Sequence, residues 1–311
     1  MSINASILIP VYNGVKYIDS CCSSLINSNE LLESEIIFID DGSIDNSLEK
    51  INLFKDANKS HNIIVLKNEK NRGLSFSLNK GIKAALGNYI FRLDIDDCWV
   101  DGRLNSSLKY FKRLNKINEN YALLGTFMKG KSGKKYISPI QVSNLYQLIF
   151  TSCVFHPTWC IKSSIAKKYT YEMESPFDDY YFILRLILDN YQMFNIPEYL
   201  VIYNDNYTKD RITVRSSSSR NVNFVIIKFL IIKFIIKRIL FNYKKHFCKK
   251  NLLKQIRKII ITKAEFKSNF FLSKISQIIN TILYKIYFCV LYLCNYYYYR
   301  KILKENDNEW K

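Results

Sequence analysis

The sequence predicts an α/β fold, a mostly parallel sheet flanked by helices, with an α-helical, basic carboxy-terminal extension. Three observations carry this. Over the first hundred residues, short runs rich in Ile, Leu and Phe alternate with longer segments of helical spacing. Each apolar run stops at a polar loop punctuated by Gly, Pro, Asn or Asp. Beyond Arg220 the chain changes to long aliphatic stretches broken by lysines and arginines.

Taken in order, Ala5–Ile9 is the first strand. It is closed by Pro10-Val-Tyr-Asn-Gly14, and Val15–Ile26 then reads as a helix. Glu35–Ile39 is the second strand; it ends at Asp40-Asp-Gly-Ser43, and a helix follows through Asn58, with Ser43 or Asp45 as its cap. Asn62–Leu66 is the third strand, followed by Asn68-Glu-Lys-Asn-Arg-Gly-Leu74 and a helix to about Leu86. The fourth, Tyr89–Leu93, runs into Asp94, Asp96 and Asp97. The candidate residues therefore gather at the carboxyl ends of successive strands, the edge where open α/β sheets bind ligands.

The chemistry of those loops is legible. Like charges as close as Asp94, Asp96 and Asp97 repel, and a hard divalent cation, Mg²⁺ or Mn²⁺, is their natural partner. Such an ion can hold a diphosphate. Asp40 or Asp41 can accept hydrogen bonds from a base or ribose, and Arg72 can pair with a phosphate. Asn13 reads as a turn residue.

Composition sets further bounds. With 311 residues, 48% apolar and 23% charged, the chain has the make-up of a globular protein with room for a large core. The net charge is +19, of which residues 222–311 carry +15 and residues 1–221 carry +4. A balanced body with a basic tail points to a polyanionic surface as the tail's partner. The eight cysteines form no C-x-x-C pair and no zinc spacing. No secretory leader precedes the first strand, so reduced thiols and a cytoplasmic setting are expected.

Together the loops resemble the amino-terminal half of glycosyltransferase family 2, the nucleotide-sugar-dependent transferases of the Rossmann-like GT-A fold. The matching pieces are Ile7-Leu-Ile-Pro-Val-Tyr-Asn13, Ile39-Asp-Asp-Gly-Ser43, Asn71-Arg-Gly-Leu-Ser75 with Asn79-Lys-Gly81, and Leu93-Asp-Ile-Asp-Asp97. The resemblance implies that Pro10, Tyr12, Asn13, Asp40 and Asp41 line a nucleoside pocket with Arg72 beside the base or phosphates. It implies that Asp94 and Asp96 form the D-x-D pair, Asp96 being the direct metal ligand, and that the donor is a nucleotide-diphosphate sugar, a UDP-sugar favoured. Phe155-His-Pro-Thr158 resembles the family's entry to the acceptor half, with His156 as an acceptor-site candidate. Phe177-Asp-Asp-Tyr180 resembles its Glu-Asp-Tyr helix start, which makes Asp179 the catalytic base and Asp178 an acceptor-site candidate. Without the family, two acids opening an apolar helix read as caps at its positive end. The chain departs from the pattern at Asp178, where the family has Glu, at Tyr181, where an acid is usual, and in lacking a His after Leu200-Val-Ile-Tyr203.

The resemblance places a GT-A domain at 1–215, with a nucleotide-binding half (1–100) and an acceptor half (101–215). Residues 216–311 form the extension. Phe224–Phe241 is apolar except for Lys228, Lys233, Lys237 and Arg238. The uncharged run Ile286–Tyr299 is shorter than the ~20 residues that span a bilayer. Tyr296-Tyr-Tyr-Tyr299 before Arg300-Lys301 has the make-up of an interfacial anchor, so the expected partner is an anionic membrane surface at the inner face of the cell membrane. Nucleic acid is the competing partner for a basic, aromatic tail, but the cations here interrupt aliphatic runs and form no polar groove. A nucleotidyltransferase would carry a Gly-rich basic loop after the first strand, which Pro10-Val-Tyr-Asn-Gly14 is not. A catalytically silent relative that binds a glycan or scaffolds a complex is the remaining alternative. The reading is an inverting, metal-dependent transferase acting on a glycan or lipid-linked glycan acceptor in surface polysaccharide biosynthesis.

Overall fold

The computed structural model describes residues 3–149, 153–172 and 178–206. The extension at 216–311, with its expected helices and membrane contact, lies outside the described residues. One compact unit comprises residues 1–143 and 154–208; the rest of the chain falls to a second unit, of which the 3-10 turn Leu145–Ile149 is described.

The first unit opens with β1 (Ala5–Val11), α1 (Ile18–Ile26), β2 (Glu35–Asp40), α2 (Ser47–Ala57), β3 (Asn62–Lys67), α3 (Leu74–Ala84) and β4 (Tyr89–Arg92). It continues through β5 (Cys98–Trp99), α4 (Arg103–Ile117), β6 (Tyr121–Gly130), β7 (Lys135–Tyr136) and β8 (Gln141–Val142). It closes with β9 (Cys160–Lys162), α5 (Ser163–Lys168), α6 (Asp178–Leu188) and β10 (Gln192–Tyr203). The sheet runs β3-β2-β1-β4-β9-β6-β10-β5. The four strands of the first half are parallel, as expected. β9 then enters antiparallel to both β4 and β6, while β10 returns parallel to β6. Every residue of β1 and β2 is buried, which is why both read as near-continuous apolar runs.

Two helices begin later than the sequence suggests, for one local reason. The residues ahead of them are held in turns by local hydrogen bonds, backbone in one case and side-chain in the other. Tyr17 N bonds Gly14 O at 2.8 Å, so α1 starts at Ile18 rather than Val15. Asp45 accepts from Ser47 N at 3.0 Å and so caps α2 from two residues upstream.

Acidic side chains hold the turns. Glu35, wholly buried, accepts from Ser6 Oγ at 2.5 Å and from Leu86 N at 2.6 Å, which ends α3 and aims the chain into β4. Glu30 accepts from Trp99 Nε1 at 2.9 Å and from Leu104 N and Asn105 N at 3.0 Å, satisfying the first turn of α4 from outside it. Arg103, at the start of α4, lies over the Trp99 ring at 4.4 Å and donates to Arg92 O at 2.8 Å and Pro157 O at 3.0 Å. Burial pulls its guanidinium down to about 9.

At Gly42 the backbone has φ +70°, and a Cβ there would sit 2.5 Å from the Lys70 carbonyl carbon. Gly42→Ala should therefore destabilise the fold by about 2 kcal/mol or more, since left-handed strain and a backbone clash add. Urea unfolding of the two proteins measures this.

Candidate active site

The loops after β1 and β2 are sewn together. Asn13, itself left-handed at φ 50°, accepts from Ile44 N at 2.9 Å and donates its own N–H to Ser43 Oγ at 3.0 Å. Gly14 N donates to Ser47 Oγ at 2.9 Å, and Val15 N to Asp45 Oδ2 at 3.2 Å. Pro10 is buried within β1, whereas Tyr12 stands 45% exposed on this rim.

Asp40 and Asp41 are both buried, and they differ in use. Asp40 receives the Ser43 N–H at 3.3 Å. Asp41 is committed to the loop after β3: Oδ1 accepts from Asn68 Nδ2 at 2.7 Å and Arg72 N at 2.9 Å, and Oδ2 from Gly73 N at 2.8 Å. These last two bonds also satisfy the approach to α3. The Arg72 side chain is exposed and lies over the Phe76 ring at 4.3 Å.

Beyond β4, the carboxylates of Asp94, Asp96 and Asp97 each bring an oxygen within 4.8 Å of the others. Arg92, 4% exposed, grips Asp94 with both terminal nitrogens, at 2.9 and 2.6 Å. Asp97 is wholly buried; Oδ1 accepts from Asn204 N at 2.8 Å, and Oδ2 has no hydrogen-bond partner among the described residues. Burial first, then the charges of Asp94 and Asp96, hold its carboxyl well above the usual range. Lys131, on the hairpin after β6, donates to Asp96 O at 3.2 Å. That hairpin is fixed by Asp205, which accepts from Ser132 N at 3.0 Å and Tyr136 OH at 3.3 Å.

A second acidic centre opens α6. Asp178 accepts from Ser75 Oγ at 2.7 Å and from Asp179 N at 2.9 Å, so the first turn of α3 is tied to α6. Asp179 is half-buried and accepts from Tyr180 N at 2.7 Å. Burial and the neighbouring Asp178 push its carboxyl up to about 6, against the opposing pull of the Tyr180 N–H and of Arg92. Burial also raises Asp178, countered mainly by Ser75.

His156 bonds Tyr171 OH at 2.8 Å through Nε2 and sits 4.6 Å from the Trp159 ring. Burial, and next the charge of Arg92, hold it neutral, well below its ordinary pKa. Tyr171 is fixed by reciprocal 2.8 Å bonds between its backbone and the Asn79 amide. Arg92 and Tyr171, with Trp159 and Phe182, line a small apolar cavity with room for about one water.

Sequence reasoning placed Asp94, Asp96, Asp178, Asp179 and His156 but missed Arg92, Ser75, Tyr171 and Asn204. Arg92 carried a signal: a charge inside an apolar strand needs a partner, and the nearest acids follow it directly. The other three could be found only from the tertiary contacts.

A sheet of this topology with acids gathered at its carboxyl edge has the ligand-binding rim of an open α/β protein. A family model described as Glycosyl transferase family 2 matches residues 6–168, over half of the chain, and the chain belongs to that family. It is 29% identical over 215 residues to an uncharacterized glycosyltransferase of Methanocaldococcus jannaschii, covering 65% of this chain and 72% of that one. It is 26% identical over 188 residues to the UDP-Glc:alpha-D-GlcNAc-diphosphoundecaprenol beta-1,3-glucosyltransferase WfgD of Escherichia coli, covering 60% and 70%. Among solved structures it resembles S. aureus TarS in complex with UDP-GlcNAc, with TM-score 0.61, 18% identity and coverage of 83% and 73%. It also resembles the mannosyltransferase PcManGT of Pyrobaculum calidifontis in complex with GDP-Man and Mn²⁺, with TM-score 0.56, 13% identity and coverage of 98% and 88%. At those identities the structural likeness shows the GT-A fold.

Because Asp41 takes the backbone N–H of Arg72, the two residues should separate on mutation. Asp41→Ala should cost about 2–4 kcal/mol by stranding buried donors, while Arg72→Ala should stay within about 0.5 kcal/mol of the parent. Urea unfolding of both variants checks this.

Proposed function

We propose that the protein is an inverting glycosyltransferase that moves a sugar from a nucleotide-diphosphate sugar, a UDP-sugar favoured, to a glycan or lipid-linked glycan in surface polysaccharide biosynthesis. The observation that carries this is a pair of acidic centres of opposite character around Arg92. One gathers three carboxylates after β4; the other holds a half-buried Asp179 whose carboxyl is pushed up to about 6. WfgD, named for a diphosphoundecaprenol-linked substrate, and TarS, seen with UDP-GlcNAc, support the acceptor and donor classes.

The first centre suits a divalent cation, Mn²⁺ or Mg²⁺. Asp97 Oδ2 is a buried carboxylate oxygen with no hydrogen bond among the described residues, and three hard oxygen donors converge there. Asp96 and Asp94, as the resemblance implies, would hold the ion, and Asp97 joins them. When bound, it would neutralise charge on a departing diphosphate. The chain's own residues supply the rest. Pro10, Tyr12, Asn13 and Asp40 would form the nucleoside side of the cleft, kept in shape by the stitched loops, with Arg72 free to swing onto phosphate or base. Asp41 serves by fixing the Arg72 loop.

Asp179 is the proposed base. A carboxyl near 6 is mostly ionised at neutral pH yet is a stronger proton acceptor than an ordinary aspartate, which suits removal of an acceptor hydroxyl proton. A single base with direct attack on the anomeric carbon inverts its configuration. His156 and Asp178 stand near that base as acceptor-side residues. We assign donor binding to residues 1–100, acceptor binding to 101–215 and membrane attachment to 216–311. The enzyme would then work at the cytoplasmic face of the membrane and use no nucleic acid partner. Among the described residues no helix is long and apolar enough to cross a membrane.

Three outcomes test the reading with a purified nucleotide-sugar donor and a lipid-linked acceptor. Asp179→Asn should lower kcat on the order of 10²–10⁴-fold while UDP affinity, read by calorimetry, stays near that of the parent. In the parent, kcat should fall as pH drops through about 6, because Asp179 must be ionised to accept the proton. Removing divalent metal with EDTA should abolish transfer, and Mn²⁺ or Mg²⁺ should restore it. Full turnover in Asp179→Asn would refute the assignment of the base.

A further inference from the structure

Two acidic centres lie at this edge of the sheet, and one buried cation stands between them. Arg92 leaves β4 with its guanidinium 4% exposed and both terminal nitrogens on Asp94, at 2.9 and 2.6 Å. Arg92 also lines the small cavity it shares with Tyr171 and Phe182, the latter on α6 one turn after Asp179. On α6 itself, Asp178 and Asp179 are held by neutral donors: Ser75 Oγ and the backbone N–H groups of Asp179 and Tyr180. Among the described residues the ion pairs are Lys50–Asp19 and Arg92–Asp94, so neither acid of α6 has a salt bridge there.

We propose that Arg92 is a positioning residue shared by the two centres, holding Asp94 in place for the cation site on one side and presenting its positive charge to the acids that open α6 on the other. This rests on the assignment of Asp179 as the base. The charged and titratable groups around that base are Asp178 on its own helix, Arg92 from β4, and Tyr171 with its partner His156 from the segments flanking β9 and α5. Asp178 disfavours the ionised base, and Arg92 favours it. Tyr171, raised by burial, stays neutral, as does His156.

A physical consequence follows. While Asp94 is uncompensated by anything else, it absorbs much of the Arg92 field. A cation held by Asp94, Asp96 and Asp97 would draw on the Asp94 charge, and more of the Arg92 field would then reach α6. Donor-side occupancy therefore increases the ionisation of the base, and by linkage the ionised base strengthens occupancy. No bond is made or broken in this step; it is a shift in charge distribution.

The test uses the full chain with Arg92→Met, which keeps bulk and removes charge, and Arg92→Lys, which keeps charge and loses the two-pronged grip. Its first readout is a ¹³C-carboxyl NMR titration of the metal-free protein, with the Asp179 signal assigned by its absence in Asp179→Asn. Arg92→Met should move that titration to higher pH, and Arg92→Lys should return it towards the parent. Addition of Mg²⁺ with UDP should move it to lower pH in the parent and less in Arg92→Met. The second readout is the kcat–pH profile, whose acid limb should lie at higher pH in Arg92→Met, with turnover on that limb roughly tenfold down relative to the plateau. Thermal unfolding confirms that both variants are folded. An Asp179 titration unchanged in folded Arg92→Met would overturn the proposal. A parent that titrates as described but transfers no sugar would instead overturn the functional reading, so the two failures are distinguishable.

Discussion

A full charge inside a folded chain must be matched where it sits, because stranding it costs several kcal/mol. Arg92 is such a charge, delivered into the interior by the pleat of β4, and the rest of the site is arranged around matching it. Asp94 takes the guanidinium end-on within two residues of chain, so strand and acidic loop form one rigid piece. Arg103 then reads the carbonyl of the same residue from α4, and Pro157 O from the segment before β9. Three elements distant in sequence converge on one strand end. The acids that follow Asp94 inherit their positions from that convergence.

Two physical kinds of acid stand out among the described residues. Glu30, Glu35 and Asp41 spend their oxygens on backbone N–H groups at turns and helix starts, and there a carboxylate is a structural acceptor stronger than a neutral side chain. Asp97 and Asp179 are different. Each retains an environment that resists ionisation, through burial and a like charge close by. Such a group is costly to keep in a merely structural role, and this cost is the physical ground for placing chemistry at these two positions. Asp41, which the resemblance implies for a nucleoside pocket, spends its oxygens on Asn68, Arg72 and Gly73.

Much of the fold was legible because the first half obeys local rules. β1 and β2 are buried along their whole length, so their composition is nearly uniform, and each of the first four strands is followed by a loop whose Gly, Asn or Asp announces the turn. Their boundaries fall within a residue or two of expectation. Helix starts were less legible because Asp45 and Gly14 hold the preceding residues in turns, a contest between local bonds that periodicity does not register. The antiparallel entry of β9 was not legible at all. Three residues, Cys160–Lys162, give too short a pattern, and their place is set by pairing with β4 and β6. In the site, the paired acids were visible as motifs. Ser75 on Asp178, Asn204 on Asp97 and Asn79 on Tyr171 span 103, 107 and 92 positions and leave no local trace.

The insertion of β9 is what makes the site a single object. A purely parallel sheet would carry the chain away from β4 through another crossover helix, and the neighbouring strand would bring its own carboxyl end to the same rim. With β9 antiparallel, the segment that reaches this rim is instead the one preceding it, His156–Trp159, whose aromatic rings pack against Tyr171 and Phe182. That packing positions α6 beside β4 by apolar contact, and no ion pair is spent on the task. Asp178 and Asp179 are consequently left with their charges unclaimed by a salt bridge among the described residues. On the proposed assignment of Asp179 as the base, that condition matters: a carboxylate locked to a cation would have its proton affinity lowered out of the useful range, whereas one held by aromatic packing and N–H donors would keep it adjustable.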